Sequence, residues 1–213
     1  MHFEILIEDQ SGGKAMEILI PKLLGDRITF RIHSYKGIGN IPKGLKPSGD
    51  ASKRKLLSQL PNILQGYGRT PDYGIVIVIC DLDNKEKEGF LSELQNVLDN
   101  CNPKPKVFFF LAVEEFEAWY LGDINAIRMA YPNAKISVLN SYVNDSICGT
   151  WEFLADAIYK GGHRALSKKG WQAIGEQKKM WAKVISPYMN VNCNNSPSFN
   201  DMYNQLQAIS NDK

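Results

Sequence analysis

Tyr73-Gly-Ile-Val-Ile-Val-Ile-Cys-Asp-Leu-Asp83 is an apolar run that ends in two carboxylates one residue apart. A run this rich in Ile and Val, without alternation, predicts a strand covered on both faces of a parallel sheet, and such sheets carry their chemistry at the carboxyl ends of their strands. Asp81 and Asp83 stand at that end, and as a pair they point to a divalent metal. If strand geometry continues through them, the two side chains share a face. The bland alternative is an acidic turn in which Asp83-Asn84 caps the next helix.

Two other segments repeat the pattern. Phe3-Glu-Ile-Leu-Ile7 is a short apolar strand followed by Glu8-Asp9, and Lys106-Val-Phe-Phe-Phe-Leu-Ala-Val113 is followed by Glu114-Glu115-Phe116-Glu117. In one parallel sheet these acidic ends converge on one edge. Carboxylates on rigid elements are the usual ligands of Mg2+ or Mn2+, which keep waters for a phosphate to displace. For Glu8 the plain reading is a favourable charge ahead of a helix N-terminus. Glu115 and Glu117 align if the strand continues, whereas Glu114 and Glu117 become neighbours if a helix begins.

Strands alternate with helices over the first half, the signature of a doubly wound α/β layer. Ser11-Gly-Gly13 reads as a turn, Lys14–Leu24 as a helix and Arg27–His33, with its alternation, as a more exposed strand near an edge. Ser52–Leu64 is an amphipathic helix in which Pro61 threatens a kink. Asn84–Leu98 is a surface helix ahead of the fourth strand. Beyond Asp123 the chain reads as helical, over Trp151–Tyr159, Gly170–Ile185 and Phe199–Ile209.

The 213 residues suffice for one α/β domain with a helical extension, and 44% hydrophobic with 23% charged residues argues against disorder. No stretch has the length of a membrane helix, and Met1-His-Phe-Glu enters a strand without signal-peptide features, so a cytoplasmic location is expected. Cys80, Cys101, Cys148 and Cys193 are scattered and form no Cys-x-x-Cys pair, which reads as inert thiols. A net charge of +2 gives no global argument for nucleic acid, so local clusters must carry it. One holds Lys43, Lys46, Lys53, Arg54 and Lys55; the other holds Lys160, His163, Arg164, Lys168, Lys169, Lys178, Lys179 and Lys183. Each could contact phosphates or be a solvated face. Lys36 and Lys14 could stabilise phosphoryl charge near the sheet edge. His33 reads as a structural histidine. Trp119, Trp151, Trp171 and Trp181 read as core or interface anchors, with base stacking the lesser reading.

A strand ending in Glu and another ending in Asp-x-Asp, within a four-strand α/β layer, resembles the Toprim domain of topoisomerases, primases and overcoming-lysogenization-defect nucleases. Ile7-Glu-Asp-Gln-Ser-Gly12, Val78-Ile-Cys-Asp-Leu-Asp83 and Glu115-Phe-Glu-Ala-Trp-Tyr-Leu-Gly-Asp123 are similar to a bacterial Toprim-like family of unknown function, as is the late segment Cys193-Asn-Asn-Ser-Pro-Ser-Phe199. The resemblance implies a Toprim-like domain over 1–122 and a helical extension over 123–213. It implies Glu8 as general acid/base or metal ligand, Asp81 and Asp83 as magnesium ligands, and Glu115 with Glu117 completing the acidic site. It also implies proteins that sit beside ATPases in phage defence. The usual Glu-Gly-x-Thr/Ser-Glu opening stands here as Glu8-Asp-Gln-Ser-Gly-Gly, without its second acid, for which Glu17 is a candidate substitute.

The expected function is a magnesium- or manganese-dependent phosphodiesterase of the nuclease type acting on DNA or RNA, with Glu8 and Lys36 catalytic and Lys43, Lys46, Lys168 and Lys169 on the nucleic acid. The rival is a non-catalytic Toprim-like partner of an ATPase or nucleic-acid complex. A small-molecule phosphotransferase is a third reading.

Overall fold

The structure, a computed structural model, describes residues 1–25, 28–45, 54–146 and 149–211. In chain order it holds β1 (His2–Ile7), α1 (Gln10–Leu24), β2 (Thr29–Ser34), α2 (Leu56–Gly68), β3 (Ile75–Asp81), α3 (Lys87–Asp99) and β4 (Val107–Ala112). The helices α4 (Glu117–Leu121), α5 (Ile124–Ala130), α6 (Ile136–Leu139), α7 (Thr150–Ile158), α8 (Gly162–Ser167), α9 (Trp171–Ile185) and α10 (Pro197–Asn211) follow. The four strands pair in the order β2-β1-β3-β4, all parallel. The fold is therefore α/β, a four-stranded parallel sheet flanked by helices and closed by a C-terminal helix.

Successive residues of a strand face opposite ways, and the sheet sorts its side chains accordingly. Phe3, Ile5, Ile7, Ile75, Ile77 and Ile79 join one core with α1, α9 and α10. Leu6, Val76, Val78 and Cys80 join the other, with the leucines of α2 and α3. Both faces of β3 are covered, which is why it is apolar at every position. The edge strand β2 is half-exposed and alternates.

Helix α1 begins earlier than its pattern suggests. Ser11-Gly12-Gly13 is its first turn rather than a loop, capped by Asp9, whose Oδ1 accepts from Gly12 N at 2.7 Å. The glycines serve contact: a Cβ at Gly12 would lie 2.8 Å from Ile7 Cδ1, and one at Gly13 would lie 2.0 Å from Ser34 Oγ. Pro61 does not break α2; burial of its ring with Leu56, Leu57, Leu60 and Leu64 outweighs one lost backbone bond. Arg54 and Lys55 lie outside that helix. Asn84 lies outside α3, which starts at Lys87 under a Glu86 cap.

The later helices complete the first core. α9 packs along α1, and Lys22 Nζ donates to Pro187 O at 2.6 Å and Met189 O at 2.7 Å beyond the end of α9. The segment Cys193–Phe199 is a strap: Asn194 Nδ2 donates to Trp119 O at 2.8 Å, Asn195 N to Gly122 O at 2.8 Å, and Trp119 Nε1 to Ser198 Oγ at 3.0 Å. Trp119, Trp151 and Trp181 are core residues, whereas Trp171 is 83% exposed and corrects the reading of all four tryptophans as anchors. Among the described residues no helix is long and apolar enough to cross a membrane.

The strap leaves no room for a side chain at Gly122, where a Cβ would lie 2.0 Å from Asn194 Oδ1 and 2.8 Å from Ser196 N. Gly122→Ala should therefore cost about 1–3 kcal/mol. Gly66→Ala, in the interior of α2 with nothing within 4 Å, should gain up to about 1 kcal/mol. Urea melts of both variants check the pair; equal stabilities would contradict the packing described.

Candidate functional site

Strand register brings the first two acids together. Ile7 stands opposite Ile79, so Glu8 leaves β1 beside the end of β3, and its Oε2 accepts from Asp81 N at 3.3 Å. Asp81 continues the Ile75, Ile77, Ile79 face and so enters the side covered by α1 and α9. Asp83 does not follow it, because its φ of 49° ends the alternation and leaves the residue exposed. Pairing of β3 with β4 continues beyond the strands: Leu82 N donates to Ala112 O at 2.9 Å and Asp83 N to Glu114 O at 2.8 Å. The acidic ends therefore run side by side.

After β4 the backbone turns at Glu114, whose φ is 61°, and α4 starts at Glu117. The turn separates the three glutamates. Glu114 accepts from Gly149 N, and from Thr150 N at 2.6 Å, so it anchors the start of α7. Glu115 and Glu117 face α9, where Lys178 Nζ lies 3.1 Å from Glu115 Oε1 and 3.1 Å from Glu117 Oε2. Glu117 is 1% exposed. Its Oε2 has the ion pair but no hydrogen-bond geometry, which leaves it without a hydrogen-bond partner.

The electrostatics follow from this crowding. Burial, then the charge of Asp83, pushes the Glu8 carboxyl up to about 7, against the Asp81 N–H. Burial, then Glu8 and Asp9, holds Asp81 well above the usual carboxylate range. Burial raises Glu117 to about 7, with Lys178 pulling the other way. Burial would lower the Lys178 ammonium, but the charges of Glu117, Glu115, Asp81 and Asp9 overcome it and hold the group well above its ordinary value. Negative charge is in excess and only partly balanced.

Among the described residues no three His, Cys, Asp or Glu side chains stand in a ligating group. The donors nonetheless suit a hard dication in their chemistry. Glu8, Asp81 and Asp83 offer oxygen alone, and their pKa values are raised first by burial and then by neighbouring acids, Asp83 for Glu8, Glu8 for Asp81 and Glu114 for Asp83.

The remaining expected residues are dispersed. Lys36 is exposed beside the site, on a loop tied to it by Gly37 N donating to Glu8 O at 2.9 Å. Lys43 is exposed on a short helical turn; Lys46 and Lys53 lie outside the described residues. Lys168 and Lys169 are exposed after α8, with Lys169 Nζ donating to Tyr159 Oη at 2.7 Å. Glu17 pairs with Lys14 at 2.6 Å on the exposed side of α1 and does not replace the missing acid. His33 pairs with Glu4 at 2.6 Å, in a cluster with His2 and Tyr67.

Lys178 is the functional residue that the basic-patch reading misplaced. A signal existed: it falls in the buried stripe Ile174, Trp181, Ile185 of α9, at helical spacing, where a charge needs a buried partner.

The family model described as Domain of unknown function (DUF4276) matches residues 7–207, a span that holds every residue of this site. No curated protein and no solved structure matches the chain.

Two measurements check the electrostatics. Between pH 4.5 and about 7 the folded state binds the Glu8 proton more tightly than the unfolded chain, so stability falls as pH rises through that window. In metal-free buffer, Glu8→Gln should flatten the fall in Tm between about pH 5 and about pH 8, removing a contribution on the order of 1–3 kcal/mol; an unchanged profile would contradict the burial of this charge. Lys178→Met should cost about 3–5 kcal/mol at about pH 8, where Glu117 is left charged and unpaired. At about pH 5 most of that loss should vanish as Glu117 protonates. Denaturant melts with the same loss at both pH values would remove Lys178 from the pair.

Proposed function

This chain belongs to the DUF4276 family, and we propose that it is a divalent-metal-dependent phosphodiesterase of the nuclease type, with a Toprim-like acidic site and DNA or RNA as substrate. The observation that carries the reading is the Asp81 N–H to Glu8 Oε2 contact, which sets two under-compensated carboxylates from neighbouring parallel strands at one sheet edge. Glu8 and Asp81 would hold Mg2+ or Mn2+, with Asp83 on the exposed side beside them, and the ion would supply Lewis-acid polarisation of a phosphoryl oxygen and a nucleophilic water.

The chain's own groups do the rest. Glu8 stands at the sheet edge as the group that accepts or returns a proton. Lys178, fixed by Glu115 and Glu117, holds positive charge at the floor of the site. Lys36 stands at the rim, where a phosphate oxygen would meet it. A cytoplasmic setting belongs to the same proposal and is supported by Cys80, Cys101 and Cys193, which are free thiols.

One observation favours a second reading, a non-catalytic subunit that docks an ATPase or a nucleic acid. Lys178 already occupies the acids of the β4 side, as an internal cation would in a site that takes no metal.

Calorimetric titration with Mg2+ and Mn2+, joined to cleavage of labelled oligonucleotides, separates the two. Asp81→Asn should reduce metal affinity and cleavage by at least about 100-fold. Its fold should persist with an equal or higher Tm, because burial and the neighbouring acids oppose a carboxylate at this position. A wild-type chain that binds neither ion and cleaves nothing would leave the subunit reading.

A further inference from the structure

We infer that Trp171 is a stacking platform for an unpaired nucleobase, so that the site takes a single strand or an unstacked nucleotide rather than an intact duplex. The inference deepens the phosphodiesterase reading and rests on it.

Trp171 is the first residue of α9 and is 83% exposed, whereas Trp119, Trp151 and Trp181 are 0%, 8% and 0% exposed. An isolated exposed apolar residue is ordinary. This one borders an open cleft of about 540 Å3, within the range of small-ligand sites, whose other walls include Asp9, Lys36, Gly37, Gly175 and Lys179.

Three features fit a nucleotide there. The first is room for a ring: Gly175, one helical turn beyond Trp171, has nothing within 4 Å of its Cβ position. The second is charge for the backbone. Lys36 lines the cleft, Lys55 Nζ lies 2.7 Å from the Cβ position of Gly37, and Lys168 and Lys169 precede Trp171. Lys179 is held at 2.9 Å by Glu176, and Asp9 also lines the wall, so the sugar-phosphate path is the side of Lys36 and Lys55. The third is continuity with the acids. Asp9 follows Glu8 in the chain, and Gly37 N donates to Glu8 O, so cleft and acidic edge share a wall.

A base within a duplex has both faces covered by neighbours and cannot lie on an indole, whereas an unpaired base can. Base–aromatic stacking is tolerant of sequence, so this surface selects strand state rather than sequence.

The test is fluorescence anisotropy in EDTA, which excludes cleavage, with the full chain and a fluorescein-labelled oligothymidylate of about twelve nucleotides. The comparisons are the same strand as duplex and an abasic strand of equal length. Wild type should bind the oligothymidylate at least about fivefold tighter than either. Trp171→Ala should weaken that binding by about 5- to 100-fold and erase the difference from the abasic strand, and Trp171→Phe should retain most of it. Gly175→Leu should weaken binding by closing the slot while leaving Tm equal or higher, because it replaces a helical glycine at an open position. Equal binding of abasic and base-bearing strands, or an indifferent Trp171→Ala, would overturn the inference. Metal-dependent cleavage with an indifferent Trp171→Ala overturns the stacking alone. Loss of binding in Trp171→Ala without cleavage by wild type supports stacking and overturns the phosphodiesterase.

Discussion

The parallel pairing of β1 with β3 is the constraint on which the site depends. With Ile7 opposite Ile79, Glu8 emerges where Asp81 N–H is the next unpaired donor, and its carboxylate takes that donor. The side-chain period of two then determines where Asp81 goes, because it must follow Ile75, Ile77 and Ile79 into the layer beneath α1 and α9. A slip of one residue would send Asp81 into the opposite leucine core and expose the isoleucines. The apolar faces that fix the sheet therefore also force an acid into a half-buried position beneath the helices. Burying a charge costs several kcal/mol unless it is paired, and a chain that retains such a group accepts that cost for something other than stability.

Lys178 shows how far the fold goes in offsetting that cost. It serves Glu115 and Glu117 directly, at contact distance, and Asp81 and Asp9 only through longer-range attraction. The acidic cluster is thus divided. Glu115 and Glu117 have a cation built into α9, Asp83 has the charge of Lys85 nearby, and Glu8 and Asp81 share only the outer field of Lys178. The deficit sits where Glu8 and Asp81 meet, at the edge that opens toward the loop carrying Lys36.

Residues whose environment is fixed by the sheet period were legible in the sequence. The strand at Ile75, the edge character of β2 and the meeting of Glu8 with Asp81 all follow from hydrophobic pattern and parallel order. Positions where the backbone leaves that period were not. Asp83 and Glu114 both adopt positive φ, which single-residue patterning does not announce outside glycine, and each turn sends its carboxylate elsewhere. Gly12 and Gly13 read as a turn because glycine commonly marks one, yet here they allow α1 to approach Ile7 and Ser34. Lys178 was hidden by composition, since it lies in a stretch of lysines whose other members face solvent. Only its place in the stripe of Ile174, Trp181 and Ile185 separates it from them.

The elements around the acidic edge differ in what holds them. Glu8 and Asp81 sit at the ends of central strands packed on both sides, which fixes their backbones to the two cores. The Lys36 loop is held instead by backbone bonds on both sides, Tyr35 N to Ile7 O at 3.0 Å and Gly37 N to Glu8 O at 2.9 Å toward β1, and Lys36 N to Arg54 O at 2.9 Å, Leu56 N to Gly37 O at 3.1 Å and Leu57 N to Ile38 O at 2.8 Å toward α2. Trp171 begins a long helix whose next turns carry Ile174, Lys178 and Trp181 into the core, so its backbone is as fixed as the acids although its ring is in water. The acids and the aromatic residue therefore flank a loop tied through its main chain to both β1 and the start of α2. That arrangement places the Lys36 backbone by the same strand ends that place Glu8 and Asp81, so the spacing of the basic and acidic sides of this edge is set by main-chain bonds rather than by side-chain contacts.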